Sequence, residues 1–360
     1  MEQRACGRSG FELSALGAGC WAYGGGEYWG AQNQKDVDSV VHAAVDVGIT
    51  YFDTAEAYND GRSEESLGAA LSDIPRDKVI VGTKISPAHA YPDLVEKHCD
   101  ASLKRLGIEY VDLYMIHWPI NPHSIRHFTR DEWRIAHPPA LAEAVEALEA
   151  LRKKGKVRYL GVSNFGKQGM EEIAAHSLDI SVNQLPCNLL CRALEYEALP
   201  YCRTEGIGVI GYMTLLQGIL ADIYKTLRDV PPWQRRTRHF DAGGNALARH
   251  GERGLEAQTD AALAEIRRIA RHHGMGMPEI ALKWALAAEG MTCCLVGART
   301  VAELRENAAS AAVPLSPSIV MELNAATTPL KEKMGLSMDF YESRENDRTS
   351  VRHTPSGAGH

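Results

Sequence analysis

The chain has 360 residues, 45% of them hydrophobic and 24% charged, the balance of a globular protein long enough to bury a full core. Thirty-nine basic residues against 46 acidic ones give a formal charge of −7, which argues against a dedicated nucleic-acid binder. No apolar run nears the roughly 20 residues that a membrane-spanning helix needs, and the polar first ten residues predict no signal peptide. The eight cysteines make no repeating frame. They read as reduced, buried thiols, which places the expected compartment in the cytosol.

Taken in chain order, Cys6-Gly7-Arg8-Ser9-Gly10 reads as a tight hairpin turn before the first strand. Short β-branched or apolar runs then alternate with longer stretches of helical period. The expected strands are 16–19, 49–53, 79–84, 111–117, 157–163, 180–184, 207–212 and 293–297. The expected helices are 37–47, 64–71, 93–106, 140–154, 167–176, 194–205, 259–272 and 302–309, with an extra one at 278–288. Alternation of this kind means a parallel sheet with helices outside. A doubly wound sheet has one apparent support, Gly17-Ala-Gly19-Cys-Trp-Ala22. A dinucleotide fingerprint, however, needs a helix to start at those glycines, and Gly24-Gly25-Gly26 would break it.

Eight repeats therefore predict an α/β fold, a (β/α)8 TIM barrel, with the N-terminal hairpin closing its bottom. Long loops at 118–139 and 215–257, after strands 4 and 7, are candidates for function. The domain reading is one barrel over 1–330 and a C-terminal tail over 331–360. The tail is polar and expected to be partly disordered, at its last ten residues above all.

Active sites of such barrels lie at the C-terminal ends of the strands. Strand 2 ends in Asp53, with Tyr58 just beyond; strand 3 ends in Lys84 and strand 4 in His117. A carboxylate, an ammonium, an imidazole and a phenol converge on one mouth. Singly each has a structural explanation; together they point to proton transfer. The stretch Phe52-Asp53-Thr54-Ala55-Glu56-Ala57-Tyr58, with Gly61 and Ser63-Glu64 behind it, resembles the signature of the aldo-keto reductases. Stretches 79–84, 113–119, 161–165 and 295–307 match later blocks of that family in order, so the resemblance covers about residues 4 to 325. Segment 21–30 and Gly297-Ala298-Arg299 resemble its bacterial branch of inositol-locus and general-stress reductases.

The resemblance implies metal-free, reversible hydride transfer between NADP(H), with NAD(H) open, and a small-molecule carbonyl or alcohol. Tyr58 would be the general acid, its pKa lowered by Lys84; Asp53 would hold Lys84, and His117 would orient the carbonyl. Ser163, Asn164 and Gln184 would bind the carboxamide, and Tyr212 would stack on the nicotinamide. Thr214, Leu215, Gln217 and Gly218 would cover the pyrophosphate, and Gly297, Arg299, Glu303 and Asn307 would meet the adenosine end. Relatives commonly carry Gln or Arg at the position of Glu303 and a basic residue at that of Gln217, so this chain leaves NAD open. Trp21, Tyr28, Trp29 and Trp118, with Tyr91 and Trp133, would line the substrate pocket. Two alternatives stay open: a nucleotide-holding module like a channel β-subunit, and a metal hydrolase built on His117, His123, His127 and His137. The sequence does not set the oligomeric state.

Overall fold

The computed structural model describes residues 1–176 and 178–350. Strands β1 (Gln3–Ala5) and β2 (Glu12–Ser14) form the antiparallel hairpin. Eight parallel strands then close a barrel: β3 (Leu16–Gly19), β4 (Tyr51–Asp53), β5 (Ile80–Ile85), β6 (Val111–Ile116), β7 (Val157–Ser163), β8 (Val182–Pro186), β9 (Gly208–Tyr212) and β10 (Met291–Val296). Each strand pairs with the next in sequence, and β10 closes on β3. The fold expected from the eightfold alternation is the fold observed.

The hairpin plugs the bottom for a packing reason. Cys6, Phe11 and Leu13 join Tyr51, Leu113, Met115, Val182, Ile210, Cys293 and Leu295 in the barrel's interior cluster. Phe11 stacks on Tyr159 with ring centroids 4.2 Å apart. The turn sits so close to the barrel that Gly7, at φ +55°, has no room for a side chain: a Cβ there would run into the Gly206 carbonyl.

Outside the barrel run α1 (Gln34–Asp46), α2 (Arg62–Leu71), α3 (Pro92–Leu106), and short α4 (Pro122–Ile125) and α5 (Glu132–Ala136) within the first long loop. They are followed by α6 (Leu141–Lys153), α7 (Lys167–Ala175), α8 (Ala198–Glu205), α9 (Glu256–His272), α10 (Met277–Leu286) and α11 (Val301–Ala311). The expected helix over 194–205 is split into a 3-10 turn at Ala193–Glu195 and α8. Pro200 explains the break, because its ring would clash with the carbonyl of residue 196 in a continuous helix.

The sequence reading omitted a final helix, α12 (Pro317–Met334), which packs against α9. It buries Leu323, Thr327, Leu330 and Met334, a helical spacing that the internal Pro329 obscured. The expected boundary near residue 331 falls inside this helix. Residues 335–350 are built over the barrel mouth: the Arg238 N–H donates to the Phe340 carbonyl (2.8 Å), and the Gly166 N–H to that of Thr349 (2.9 Å). Residues 351–360, where disorder was expected, lie outside the described residues. Among the described residues, no helix is long and apolar enough to cross a membrane.

Candidate active site

Strand register brings the first three groups together. Asp53 at the end of β4 pairs with Gly82 on β5, and Lys84 lies two residues further along the same face. Gly82 is required here, because a Cβ would lie 2.6 Å from the Tyr51 hydroxyl. That hydroxyl donates to Asp53 Oδ1 (3.0 Å), and Gln184 Nε2 donates to the same oxygen (2.8 Å). Lys84 is fully buried, and all three of its N–H donors are used. They go to Asp53 Oδ2 (2.7 Å), the Thr54 carbonyl (2.7 Å) and Tyr58 Oη (3.3 Å). A buried ammonium is tolerable only when paired and fully hydrogen-bonded, and this one is.

Tyr58 meets His117 edge-on at 5.4 Å between centroids. The mouth therefore gathers all four expected catalytic side chains. His117 is buried, and its Nδ1 has no hydrogen-bond partner among the described residues. A neutral ring avoids a buried orphan N–H by carrying its proton on Nε2. Burial, reinforced by the Lys84 charge, holds the imidazole well below its ordinary pKa and keeps it neutral.

One electrostatic expectation is corrected. Lys84 was expected to lower the Tyr58 pKa. Instead burial, followed by the Asp53 carboxylate, pushes the phenol well above its ordinary value. The physical reason is that burial disfavours the phenolate and the nearby Asp53 carboxylate repels it, while Lys84 lies closer to that carboxylate (2.7 Å) than to Tyr58 Oη (3.3 Å). Burial also lowers Lys84, against the pull of Asp53. The phenol is thus held protonated.

The polar groups expected around the carboxamide are mutually bonded at the same mouth. Asn164 Nδ2 donates to the His117 carbonyl (3.1 Å) and to Ser163 Oγ (3.0 Å), while its Oδ1 accepts from Tyr212 Oη (2.7 Å). Thr214 spends its hydroxyl on the Leu295 carbonyl (2.9 Å), pinning the loop after β9 to β10. In that loop Met213, Leu216, Gln217 and Gly218 all take positive φ, and Leu215 is half-buried between them. Gln217 accepts from Tyr28 Oη (2.7 Å) and donates to Tyr341 Oη (3.3 Å), which links the β3 loop, the β9 loop and the C-terminal segment.

At the other end of the mouth, the Arg299 guanidinium donates to the Trp29 and Ala31 carbonyls (3.0 and 2.7 Å). Glu303, in the first turn of α11, accepts from the Arg299 N–H (2.8 Å). Gly297 precedes this corner, and Asn307 follows one turn after Glu303 on the same helix face.

Trp21, Tyr28 and Trp29 form one aromatic cluster, and Trp21 also lies 6.0 Å from Tyr58. Trp118 lies under a guanidinium that the sequence reading missed: Arg348, from the C-terminal segment, stacks 3.7 Å above its ring. Arg348 is itself fixed by a two-pronged bond to buried Asp339 (2.6 and 2.8 Å). Tyr91 and Trp133 instead pair with each other, beside His137. The histidines considered for a metal go separate ways, with His123 beside Arg126, His127 on Glu342 and His137 on the Trp133 carbonyl. Cavities of about 230 Å³ beside Arg8 and Tyr201, and about 520 Å³ beside Tyr110 and Arg158, touch none of the catalytic four.

A parallel eight-stranded barrel carrying a buried Asp–Lys pair against a tyrosine and a neutral histidine defines a carbonyl oxidoreductase of the barrel type. The chain belongs to the aldo/keto reductase family, whose model matches residues 15–327. It is 30% identical over 336 residues to an Escherichia coli protein named NADH-specific methylglyoxal reductase, covering 88% of this chain and 95% of that one. It is equally 30% identical to the Bacillus subtilis aldo-keto reductase YhdN, covering 84% and 87%. Among solved structures it resembles the thermostable aldo-keto reductase Tm1743, determined with the inhibitor epalrestat (TM-score 0.70, 26% identity, 91% of this chain and 100% of that one). It also resembles a Klebsiella pneumoniae aldo/keto reductase determined with NADP and acetate (TM-score 0.65, 26% identity, 90% and 95%).

Proposed function

We propose that this chain is an NAD(P)(H)-dependent reductase of small aldehydes and ketones, with Tyr58 as proton donor to the carbonyl oxygen. The observation that carries the reading is Lys84, a fully buried ammonium bonded at once to Asp53 and to Tyr58. The mouth's donor set fits a nicotinamide cofactor: a hydroxyl (Ser163), two amides (Asn164 and Gln184) and an aromatic ring (Tyr212) stand beside the catalytic four. When bound, that cofactor supplies the hydride to the carbonyl carbon or takes it from the alcohol.

The residues do the rest. Tyr58 is held protonated and so is loaded to donate. As its proton leaves, the Lys84 N–H already on Oη stabilises the phenolate, and Asp53 keeps the ammonium in place. His117, neutral and donating from Nε2, orients the carbonyl oxygen. Trp21, 6.0 Å from Tyr58 and packed on Tyr28 and Trp29, would line the substrate pocket, as would Trp118 under Arg348. The E. coli relative's name makes a small 2-oxoaldehyde the first substrate to assay.

For the cofactor we propose NADP(H), with Arg299 releasing its backbone carbonyls to meet the 2′-phosphate. Glu303 puts a carboxylate at the start of α11, where a phosphate would otherwise gain from the helix N-terminus, so NADH is expected to compete. The eight free cysteines, all of them buried, support a reducing, cytoplasmic setting. Tyr58→Phe tests the central claim. Aldehyde-dependent NADPH oxidation should fall by about 10²-fold or more, while NADPH binding by fluorescence quenching stays within about twofold. Turnover equal to the parent's would reject Tyr58 as the acid.

A further inference from the structure

Outside the catalytic four, one cluster of metal-ligating atoms has no role in the reaction above. Glu56 lies on the turn between β4 and Tyr58, His89 ends the 3-10 turn Pro87–His89 after β5, and His98 lies on α3. Three separate elements thus deliver one carboxylate and two imidazoles to a single point. His89 Nδ1 lies 2.8 Å from Glu56 Oε1 and His98 Nδ1 lies 2.7 Å from Glu56 Oε2. The two rings stack at 3.9 Å, 16° from parallel. One ligand atom from each residue falls within 4.8 Å of the others. Glu56 is nearly enclosed, whereas both histidines are about a quarter exposed, which leaves a path for an ion from solvent.

We propose that Glu56, His89 and His98 form a binding site for a divalent transition-metal ion of the zinc class, with two imidazole nitrogens, one carboxylate and an open position to water. Two nitrogens and an oxygen suit Zn²⁺, Co²⁺ or Ni²⁺ and not Mg²⁺ or Ca²⁺, which prefer all-oxygen shells. Bonds of about 2.0–2.2 Å in a tetrahedral shell hold ligand atoms about 3.3–3.6 Å apart, so the nitrogen–oxygen pairs now at 2.8 and 2.7 Å open by somewhat more than half an ångström, and the widest pair, at most 4.8 Å, closes by roughly one. No large backbone movement is needed, because all three already face one another. A carboxylate anchor needs one donor. Two stacked imidazoles offering the same ring nitrogen to one carboxylate is a metal-ligand arrangement with protons where the ion would sit. The Ser86 N–H, which donates to Glu56 Oε1 (2.8 Å), is the supporting contact that orients the carboxylate.

The site sits two residues before Tyr58, and Ser86 lies two residues after Lys84. A bound ion therefore clamps α3 and the Pro87–His89 turn onto the segment that carries both catalytic side chains. It acts as a structural clasp and takes no part in the hydride transfer, so the proposal stands or falls independently of the reaction assigned above.

The experiment is titration of the full chain, freed of metal by a chelator, with CoCl2 and ZnCl2. The expected result is a cobalt absorption band in the visible range saturating at one equivalent, and a rise of several degrees in Tm with Zn²⁺ but not with Mg²⁺. His89→Ala/His98→Ala should lose the band and the Tm response. His272→Ala, at the exposed end of α9, should keep both. Should the first variant fold poorly, His98→Asn alone, checked by circular dichroism, should weaken cobalt binding at least tenfold. Retention of the band and the Tm rise in the folded His89 and His98 variants would overturn the site, as would absence of both responses in the parent.

Discussion

Replacing Lys84 by Met should damage stability and catalysis for separate reasons, and the structure allows the two to be pulled apart. The substitution removes the cation from a pair whose members are 0% and 2% exposed. Asp53 keeps the Tyr51 hydroxyl and the Gln184 amide, two neutral donors at 3.0 and 2.8 Å, but loses the ammonium at 2.7 Å. Leaving one member of a buried ion pair uncompensated costs about 3–5 kcal/mol. A strand-end lysine would be expected from sequence to carry little packing, so this is a larger penalty than the sequence suggests. Asp53→Asn added to Lys84→Met removes the stranded charge and should recover about 2 kcal/mol or more of that loss, a coupling well above the additive expectation. Activity should behave differently. Both the single and the double variant should turn over about 10²-fold or more slowly, because Tyr58 loses the N–H on its oxygen in each. Urea midpoints followed by tryptophan fluorescence report the first effect, and aldehyde-dependent NADPH oxidation by the folded protein reports the second. A double variant as unstable as Lys84→Met would refute the charge argument. A Lys84→Met enzyme that keeps more than about a tenth of parental turnover would refute the catalytic one.

The other expectations are more limited. Arg299→Ala should reduce the preference for NADPH over NADH about tenfold or more, the worth of a charge-assisted bond, while Glu303→Gln should raise NADPH affinity; equal cofactor affinities in the parent and both variants would remove these two residues from the ribose. His117 should contribute no inflection near pH 6.5 to kcat/KM, because its folded pKa lies well below that value; an inflection there that vanishes in His117→Gln would show the imidazole titrating. His239, bonded to the Leu190 carbonyl and buried, is lowered to about 4. The unfolded chain takes up a proton near pH 6.5 and the folded chain does not until about pH 4, so stability is complete above 6.5 and is lost as pH falls between these values. The loss from this group reaches roughly 3 kcal/mol at most. A urea midpoint unchanged between pH 7 and pH 4.5 would be the contrary result.

How far the sequence could be read depended on whether the deciding contact is local. Strand β3 and strand β7 begin and end where the alternation of apolar runs places them, because a buried parallel strand reads as a short apolar run bounded by turn residues or helical periodicity. The hairpin turn was legible from Gly7 and Gly10 for the same reason. Helix α12 was not, since its four buried residues are spaced correctly but Pro329 interrupts them and few of its other faces are apolar. The packing of residues 335–350 left even less trace. Its polar composition suggested a solvated tail, yet Asp339 and Arg348 are buried by pairing with each other across nine residues of chain. Such a pair looks like surface charge until the partner is known.

The site divides along the same line. Asp53, Tyr58, Lys84 and His117 sit at or just beyond strand ends, and strand order alone brings strand ends together. Their identity therefore reveals their convergence. The groups that set their protonation come from elsewhere: Tyr51 lies on the same strand as Asp53 but one layer down, and Gln184 arrives from four strands further along the chain. The expected lowering of Tyr58 by Lys84 failed on burial: a sequence can place an ammonium and its carboxylate beside a phenol, but not show how far the fold removes that phenol from water, which is the larger effect on it. The same limit governs the adenosine corner. Arg299 alone argues for a phosphate, Glu303 alone argues against one, and the structure adds that both are already engaged, the guanidinium with two carbonyls and the carboxylate with the Arg299 N–H. Releasing Arg299 costs NADPH two hydrogen bonds before it gains any. A cofactor without the 2′-phosphate leaves those bonds intact. If Arg299 meets the 2′-phosphate as proposed, the cofactor preference rests on these competing engagements, which is why the single changes Arg299→Ala and Glu303→Gln are expected to move it in opposite directions.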